Sequence, residues 1–343
     1  MYRKLTIAFV LGLAASAAPA YAEGKLNIFN WAGYTPPDVV ERFEKETGID
    51  VTIDTYDTNE SMLAKLKAGG GDFDIIVAGH NFVPLLRDEK LAQKIGLARL
   101  ANYDNLKPDF IKPSYDPDGD YSAPWQGGST SFLVDTAVYD KPIDSYETLF
   151  NPPPELQGKA GMLKGAADLI PVAEQYLGIP FCTEDPAELQ KVLDLLLAQK
   201  PNVKVYSGGA SLREQMVSGE LAITQNYSGQ ALRSRRAKST LSYIYPKEGV
   251  QTWQDVQLIP AQAQNYENAR KWINFTMQPD VAAMISNHAG YANGIKGGDA
   301  GMKEELRTAP EINIPEGIPT KPTETCTPKG NELQDRIVTQ LLQ

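Results

Sequence analysis

Residues 25–78 read KLNIFNWAGYTPPDVVERFEKETGIDVTIDTYDTNESMLAKLKAGGGDFDIIVA, and their periodicity decides the fold class. Lys25 to Asn30 alternates apolar and polar residues, as a half-buried strand does. Thr35-Pro36-Pro37 then opens a helix: Thr can cap, Pro suits the first turn, and Val39, Val40 and Phe43 form an apolar stripe. Gly48 ends that helix in the left-handed conformation a residue without Cβ tolerates. Ile49 to Thr55 alternates again. Asn59 is expected to cap a second helix carrying Met62, Leu63 and Leu66, stopped by Gly69-Gly70-Gly71. Phe73 to Ala78 is almost continuously apolar, the pattern of a strand covered on both faces. A β-α-β-α-β series of this kind predicts an α/β fold built on a mostly parallel sheet.

Outward from this stretch, Arg3 and Lys4, the apolar run Leu5 to Ala18 and the A-x-A sequence Ala20-Tyr21-Ala22 form a secretory signal, residues 1–22. The run is shorter than the roughly 20 residues a membrane span needs. Toward the other end, helices are expected at Pro186–Lys200 and Leu212–Ser218, a strand at Leu221–Asn226, and two helices over Ala269–Ile285 broken near Pro279. A last amphipathic helix is expected over Asn331–Leu342, with Asn331 as its cap. Residues 307–329, rich in Pro and Thr, are expected to run extended over the surface. An exported chain can carry disulfides, and its two cysteines, Cys182 and Cys326, form an even pair expected to be bridged.

With 33 Lys and Arg against 43 Asp and Glu, the formal charge of −10 argues against nucleic acid or an anionic membrane as partner. Two histidines and two cysteines are too few for a His/Cys zinc site. His80 and His288 sit in no nucleophile signature, and a lone His is more often structural. There is no G-x-S-x-G elbow, phosphate loop or G-x-G-x-x-G turn, so no cofactor is expected and an enzyme has no positive support. The feature left over is aromatic residues beside strand ends and turns: Trp31 and Tyr34, Trp125, Trp253 with Asp255 close behind, and Tyr291 after Gly290. Aromatic faces attract cations, and a carboxylate among them would hold an ammonium group. Spacing alone does not bring these residues together.

The chain resembles the periplasmic polyamine-binding proteins that feed putrescine and spermidine to ABC importers. The resemblance rests on Phe29-Asn30-Trp31-Ala32-Gly33-Tyr34 with Pro36-Pro37, Phe43-Glu44-Lys45-Glu46-Thr47-Gly48-Ile49, Asn59-Glu60 with Ala64-Lys65-Leu66, and Phe73-Asp74-Ile75-Ile76-Val77. It continues through Asp116-Pro117-Asp118 with Tyr121-Ser122-Ala123-Pro124, then Tyr245-Pro246-Lys247-Glu248-Gly249 and Trp253-Gln254-Asp255. Trp272-Ile273-Asn274-Phe275, Gln278-Pro279-Asp280-Val281-Ala282 and Gly290-Tyr291 complete it. It implies a two-lobed periplasmic-binding-protein fold with hinge-crossing strands. Lobe one would be residues 24–129 plus 254–295, and lobe two 130–253 plus 296–343.

Carried over, the resemblance implies Trp31, Tyr34 and Tyr291 as lobe-one walls and Trp253 along the ligand's alkyl chain. Asp255 would hold one ammonium and Asp168, on lobe two, the far amine. Gly33, Gly79, Asn81, Gly165 and Gln225 depart from the family pattern. Gly33 and Gly165 stand where carboxylates are usual, and Gln225 where a Trp is usual. The distal end is therefore expected to be less anionic, and spermidine to bind more weakly than a four-carbon ligand. The other ligand left open is 4-aminobutyrate, its carboxylate received by Arg213 or Arg233. The expected partners are the small amine and the importer's membrane permease, with no nucleic acid, and the protein is expected to be a monomer in the periplasm.

Overall fold

A computed structural model of the chain describes residues 24–343. The signal expected at 1–22 lies outside the described residues. The opening stretch forms β1 (Gly24–Trp31), α1 (Pro37–Thr47), β2 (Ile49–Tyr56), α2 (Asn59–Lys67) and β3 (Ile75–Gly79), with β1 parallel to both β2 and β3. Gly48 ends α1 at φ 69° and donates its N–H to the Glu44 carbonyl. Two caps differ from the sequence reading. Thr35 does not cap α1, because its hydroxyl accepts from Asn30 Nδ2 at 2.8 Å. Thr58 caps α2 in a reciprocal box with Ser61, while Asn59 turns its Oδ1 to the Gly79 N–H at 3.1 Å.

The chain goes on through α3 (Val83–Asp88), β4 (Ala92–Gln93) and the long β5 (Ala123–Asp135). Next come α4 (Glu147–Phe150), β6 (Ala160–Leu163), α5 (Ala166–Leu177), α6 (Pro186–Gln199), β7 (Val203–Ser207), α7 (Gly209–Ser218), β8 (Ile223–Tyr227), α8 (Ser228–Ala237) and β9 (Leu241–Ile244). The last elements are β10 (Val250–Pro260), α9 (Tyr266–Thr276), α10 (Pro279–Ala289), α11 (Glu304–Arg307), β11 (Thr320–Pro322) and α12 (Pro328–Leu342). α12 starts earlier than expected because Thr327, not Asn331, caps it: Thr327 Oγ1 accepts the Gly330 N–H at 3.0 Å, and Pro328 fits the first turn.

The strand order β2-β1-β3-β10-β5-β8-β6-β7 shows how two lobes share one curled sheet. β5 and β10 lie antiparallel at its centre and belong to both halves. Asp255 to Leu258 of β10 pair with β3, whereas Thr130 to Val134 of β5 pair with β8. Each side has its own core. One contains Leu26, Ile28, Phe43, Ile75 and Trp272; the other contains Phe132, Tyr146, Met162, Leu196 and, from α12, Leu341. Each fully buried Leu or Ile in such a core contributes about 1.5–3 kcal/mol, so each lobe is held by its own packing. The molecule is thus a two-lobed α/β protein whose lobes are joined by crossing strands.

The C-terminal segment is strapped over the junction. β11 lies parallel to β10, pairing Thr320 with Val250 and Pro322 with Thr252. Four residues later Cys326 bonds to Cys182, with Cα atoms 5.2 Å apart and a sequence separation of 144. A loop of that length corresponds to about 5 kcal/mol in the chain-entropy account of disulfides. His80 is structural, at 8% exposure. Its Nδ1 accepts the Gln254 N–H at 3.2 Å, and its Nε2 donates to the Thr323 carbonyl at 3.1 Å. The ring therefore ties the end of β3 to the crossing strand and to the strap, and burial lowers its pKa.

Candidate ligand-binding cleft

The strands of both lobes end at the same crevice. Trp31 closes β1, Tyr56 β2, Gly79 β3, Ser207 β7 and Tyr227 β8, and all five line one cavity of about 150 Å³ between the lobes. In open α/β sheets the carboxyl ends of the strands are where loops diverge and leave room for a ligand. The six residues expected at the site, Trp31, Tyr34, Asp168, Trp253, Asp255 and Tyr291, all line this cavity.

The rings form two groups along the cavity. Tyr291 stands edge-on to Tyr34, with centroids 5.5 Å apart, and packs against Trp253 at 5.2 Å. Tyr227 meets the other side of Trp253 at 5.7 Å, and Trp31 packs on Tyr56 at 4.3 Å. Trp125 is in neither group; it lies behind Tyr34, at 6.2 Å, in the lobe-one core. Two glycines make the close packing possible. A Cβ on Gly128 would sit 2.8 Å from the Trp253 ring, and one on Gly229 would sit 2.4 Å from the Tyr291 ring. Gly229 is on α8, so bare backbone of lobe two rests on a lobe-one ring.

Two carboxylates are set beside the rings. Asp255 is 8% exposed, and its Oδ2 accepts the Tyr34 hydroxyl at 2.9 Å. Asp168 Oδ2 accepts the Tyr227 hydroxyl at 2.9 Å. Burial pushes both carboxyls up to about 7; the tyrosine hydrogen bonds oppose the rise, and at Asp168 the charges of Glu60 and Asp255 add to it. Burial, with the neighbouring carboxylate, also holds Tyr34 and Tyr227 well above the ordinary phenol range, so both phenols donate. The third lining carboxylate, Asp57, is already paired: Lys164 Nζ lies 3.0 Å from its Oδ2. No Lys, Arg or His lines the cavity among the described residues. The crevice therefore presents two uncompensated acids to whatever fills it.

The residues that depart from the family pattern have specific places. Gly33 offers its carbonyl to Arg233 Nη1 at 3.0 Å, and Gly79 and Asn81 line the cavity. Gln225 is fully buried, bonded to Leu163 N and the Asp168 carbonyl, and does not reach the cavity. Neither Arg213 nor Arg233 lines it; Arg213 pairs with Glu214, and Arg233 donates from Nη1 to the Gly33 carbonyl. Sequence reasoning passed over Tyr56, Asn59, Tyr227, Gln230 and Thr323, which also line the cavity. Tyr56 and Tyr227 carried a usable signal, since each is the aromatic residue at the carboxyl end of a strand. Thr323 carried none, because only the strap's pairing with β10 brings it there.

A family model described as bacterial extracellular solute-binding protein matches residues 38–312. The spermidine/putrescine-binding periplasmic protein of Escherichia coli (strain K12) is 36% identical over 291 residues, covering 84% of this chain and 83% of that one. The putrescine-binding periplasmic protein SpuD of Pseudomonas aeruginosa (strain UCBPP-PA14) is 30% identical over 338 residues, 93% of this chain and 92% of its own. A solved structure from Listeria monocytogenes, assigned to spermidine/putrescine ABC transport, superposes with a TM-score of 0.87 at 28% identity. It covers 93% of this chain and 98% of that one.

Proposed function

Because the chain belongs to the bacterial extracellular solute-binding proteins, among the periplasmic polyamine-binding members, we propose that it binds a short diamine of the putrescine type between its lobes and delivers it to an ABC importer. One observation carries the choice of ligand: the cavity has aromatic walls, two unpaired carboxylates and no lining cation among the described residues. Asp255 receives one ammonium and Asp168 the other. Trp253 and Tyr291 lie along the alkyl chain, and Trp31 and Tyr34 complete the wall. A buried charge without a partner is costly, so the number of free acids sets the number of cations the site tolerates.

That count favours a dication over the triply charged spermidine. It disfavours 4-aminobutyrate, whose carboxylate would meet Asp168 and find no arginine among the lining residues. The lobes are taken as residues 24–129 plus 254–295 and 130–253 plus 296–343, and the working unit as a periplasmic monomer that meets a membrane permease. A carrier that catalyses nothing accords with the transport role of the relatives. A thermal-shift panel of diamines, triamines, amino acids and betaines tests the reading. A ligand at 100 times its dissociation constant stabilises the fold by about 2.7 kcal/mol. A panel in which diamines give no shift while an amino acid or betaine does would refute it.

A further inference from the structure

Two helices of lobe two lack caps of their own. α5 begins after Gly165 and α7 after Gly208, and neither has a side-chain cap. The first N–H groups of a helix need partners, and its positive end attracts acids. Here the acids come from lobe one, from the turn between β2 and α2. Asp57 lies 3.6 Å from the point a Cβ on Gly208 would occupy, and it pairs with Lys164 just before α5. Glu60 comes up to the first turn of α5, where the Ala167 backbone favours its charged form, and its Oε2 lies 3.8 Å from the point a Cβ on Gly165 would occupy.

Asp168 Oδ2 lies 3.0 Å from that same point. Glu60 and Asp168 therefore flank one small space from opposite lobes, and Asp335 of α12 adds a further negative charge facing Glu60. Glu60 does not itself line the cavity. With the lobes in contact, Glu60 sits at the start of α5 and sets a like charge beside Asp168, where low dielectric makes the repulsion strong. A cation at Asp168 relieves that repulsion; a methyl group there does not.

We propose that Glu60 makes closure of the cleft conditional on a cation at Asp168, and thereby selects diamines over monoamines of the same length. Glu60 is a positioning residue in this account, acting through Asp168 rather than on the ligand, and the proposal rests on the diamine reading above. The test is calorimetric titration of putrescine and of butylamine into the full-length mature protein, Glu60→Gln and Glu60→Asp, with unfolding midpoints confirming that the variants fold. Glutamine keeps the length and an acceptor for the Ala167 N–H but removes the charge. The preference for putrescine over butylamine should fall about tenfold in Glu60→Gln, equivalent to one pKa unit of coupling, and be largely retained in Glu60→Asp. A purely structural role would weaken both ligands equally and leave the ratio alone. An unchanged ratio in a Glu60→Gln protein that still binds putrescine overturns the proposal and spares the diamine reading. A wild-type protein that binds neither amine overturns both.

Discussion

Asp255 shows how one side chain can be both buried and poised. Its carboxylate has a single side-chain partner, the Tyr34 hydroxyl, and it sits among rings that give it no counter-charge. Replacing it with Asn keeps the shape and removes the charge. Truncating one partner of a buried charge pair costs about 2–5 kcal/mol, so putrescine affinity should fall at least thirtyfold in Asp255→Asn while the fold persists. Unchanged affinity by calorimetry would remove Asp255 from the site. The pH dependence follows from the same burial. With Asp255 and Asp168 both near 7 without ligand, each is mostly protonated at pH 6, whereas the ligand's ammonium groups stay charged. Affinity should fall roughly tenfold per carboxylate between pH 8 and pH 6. Stability of the ligand-free protein runs the other way. A carboxyl raised above its unfolded value of about 3.9 binds its proton more tightly when folded, so its contribution is full below that value and is lost as pH rises through 7. A flat affinity profile from pH 8 to 6 would show that the two acids do not meet the ligand as ions.

Among the elements, α8 meets the opposite lobe through bare backbone. Gly229 lets its backbone rest on the Tyr291 ring, and a methyl group there would sit 2.4 Å from the nearest ring atom. Gly229→Ala should hold the lobes apart without disturbing either core. Overpacking of this kind costs about 1–3 kcal/mol, so putrescine should bind roughly five- to hundredfold more weakly through faster dissociation, with the ligand-free unfolding midpoint little changed. Stopped-flow dissociation rates check this, and an unaltered off-rate would mean that α8 does not seat on Tyr291 when ligand binds. The elements were well marked in the sequence wherever local chemistry decides them. The alternation of 25–30, the left-handed Gly48 and the glycines after α2 fall where they were read. Cap identities were not, because Thr35 is engaged by the side chain of Asn30 in β1 and Asn59 by the Gly79 N–H, twenty residues on. β11 was hidden as well: three residues of a Pro- and Thr-rich run become a strand only because β10 offers an edge. The six expected site residues do converge, but the convergence was legible only through family resemblance, since they come from four separated segments. Tyr227, which donates to Asp168, was missed although its place at the carboxyl end of β8 marked it, because the strand was read as ending at Asn226.

At the scale of the whole molecule, the crossing strands β5 and β10 make the cleft a junction rather than a surface feature. Contacts from both lobes meet around one cavity: Asp57 with Lys164, the Gly33 carbonyl with Arg233, Tyr291 with Gly229. The Asp57–Lys164 pair neutralises one acid at the cavity and leaves Asp168 and Asp255 without an ionic partner among the described residues. On the proposed reading these two acids set the ligand's charge, which is why composition could exclude nucleic acid yet not choose among amines. The most direct test is calorimetric titration of putrescine, spermidine and 4-aminobutyrate into the mature protein at pH 8 in one buffer. The account predicts one-to-one binding of putrescine as the tightest of the three, with 4-aminobutyrate at least about a hundredfold weaker, the scale of one unrelieved buried charge. Binding of 4-aminobutyrate as tight as that of putrescine would contradict it, because a cavity that accepts a carboxylate beside Asp168 is not the two-acid site described here.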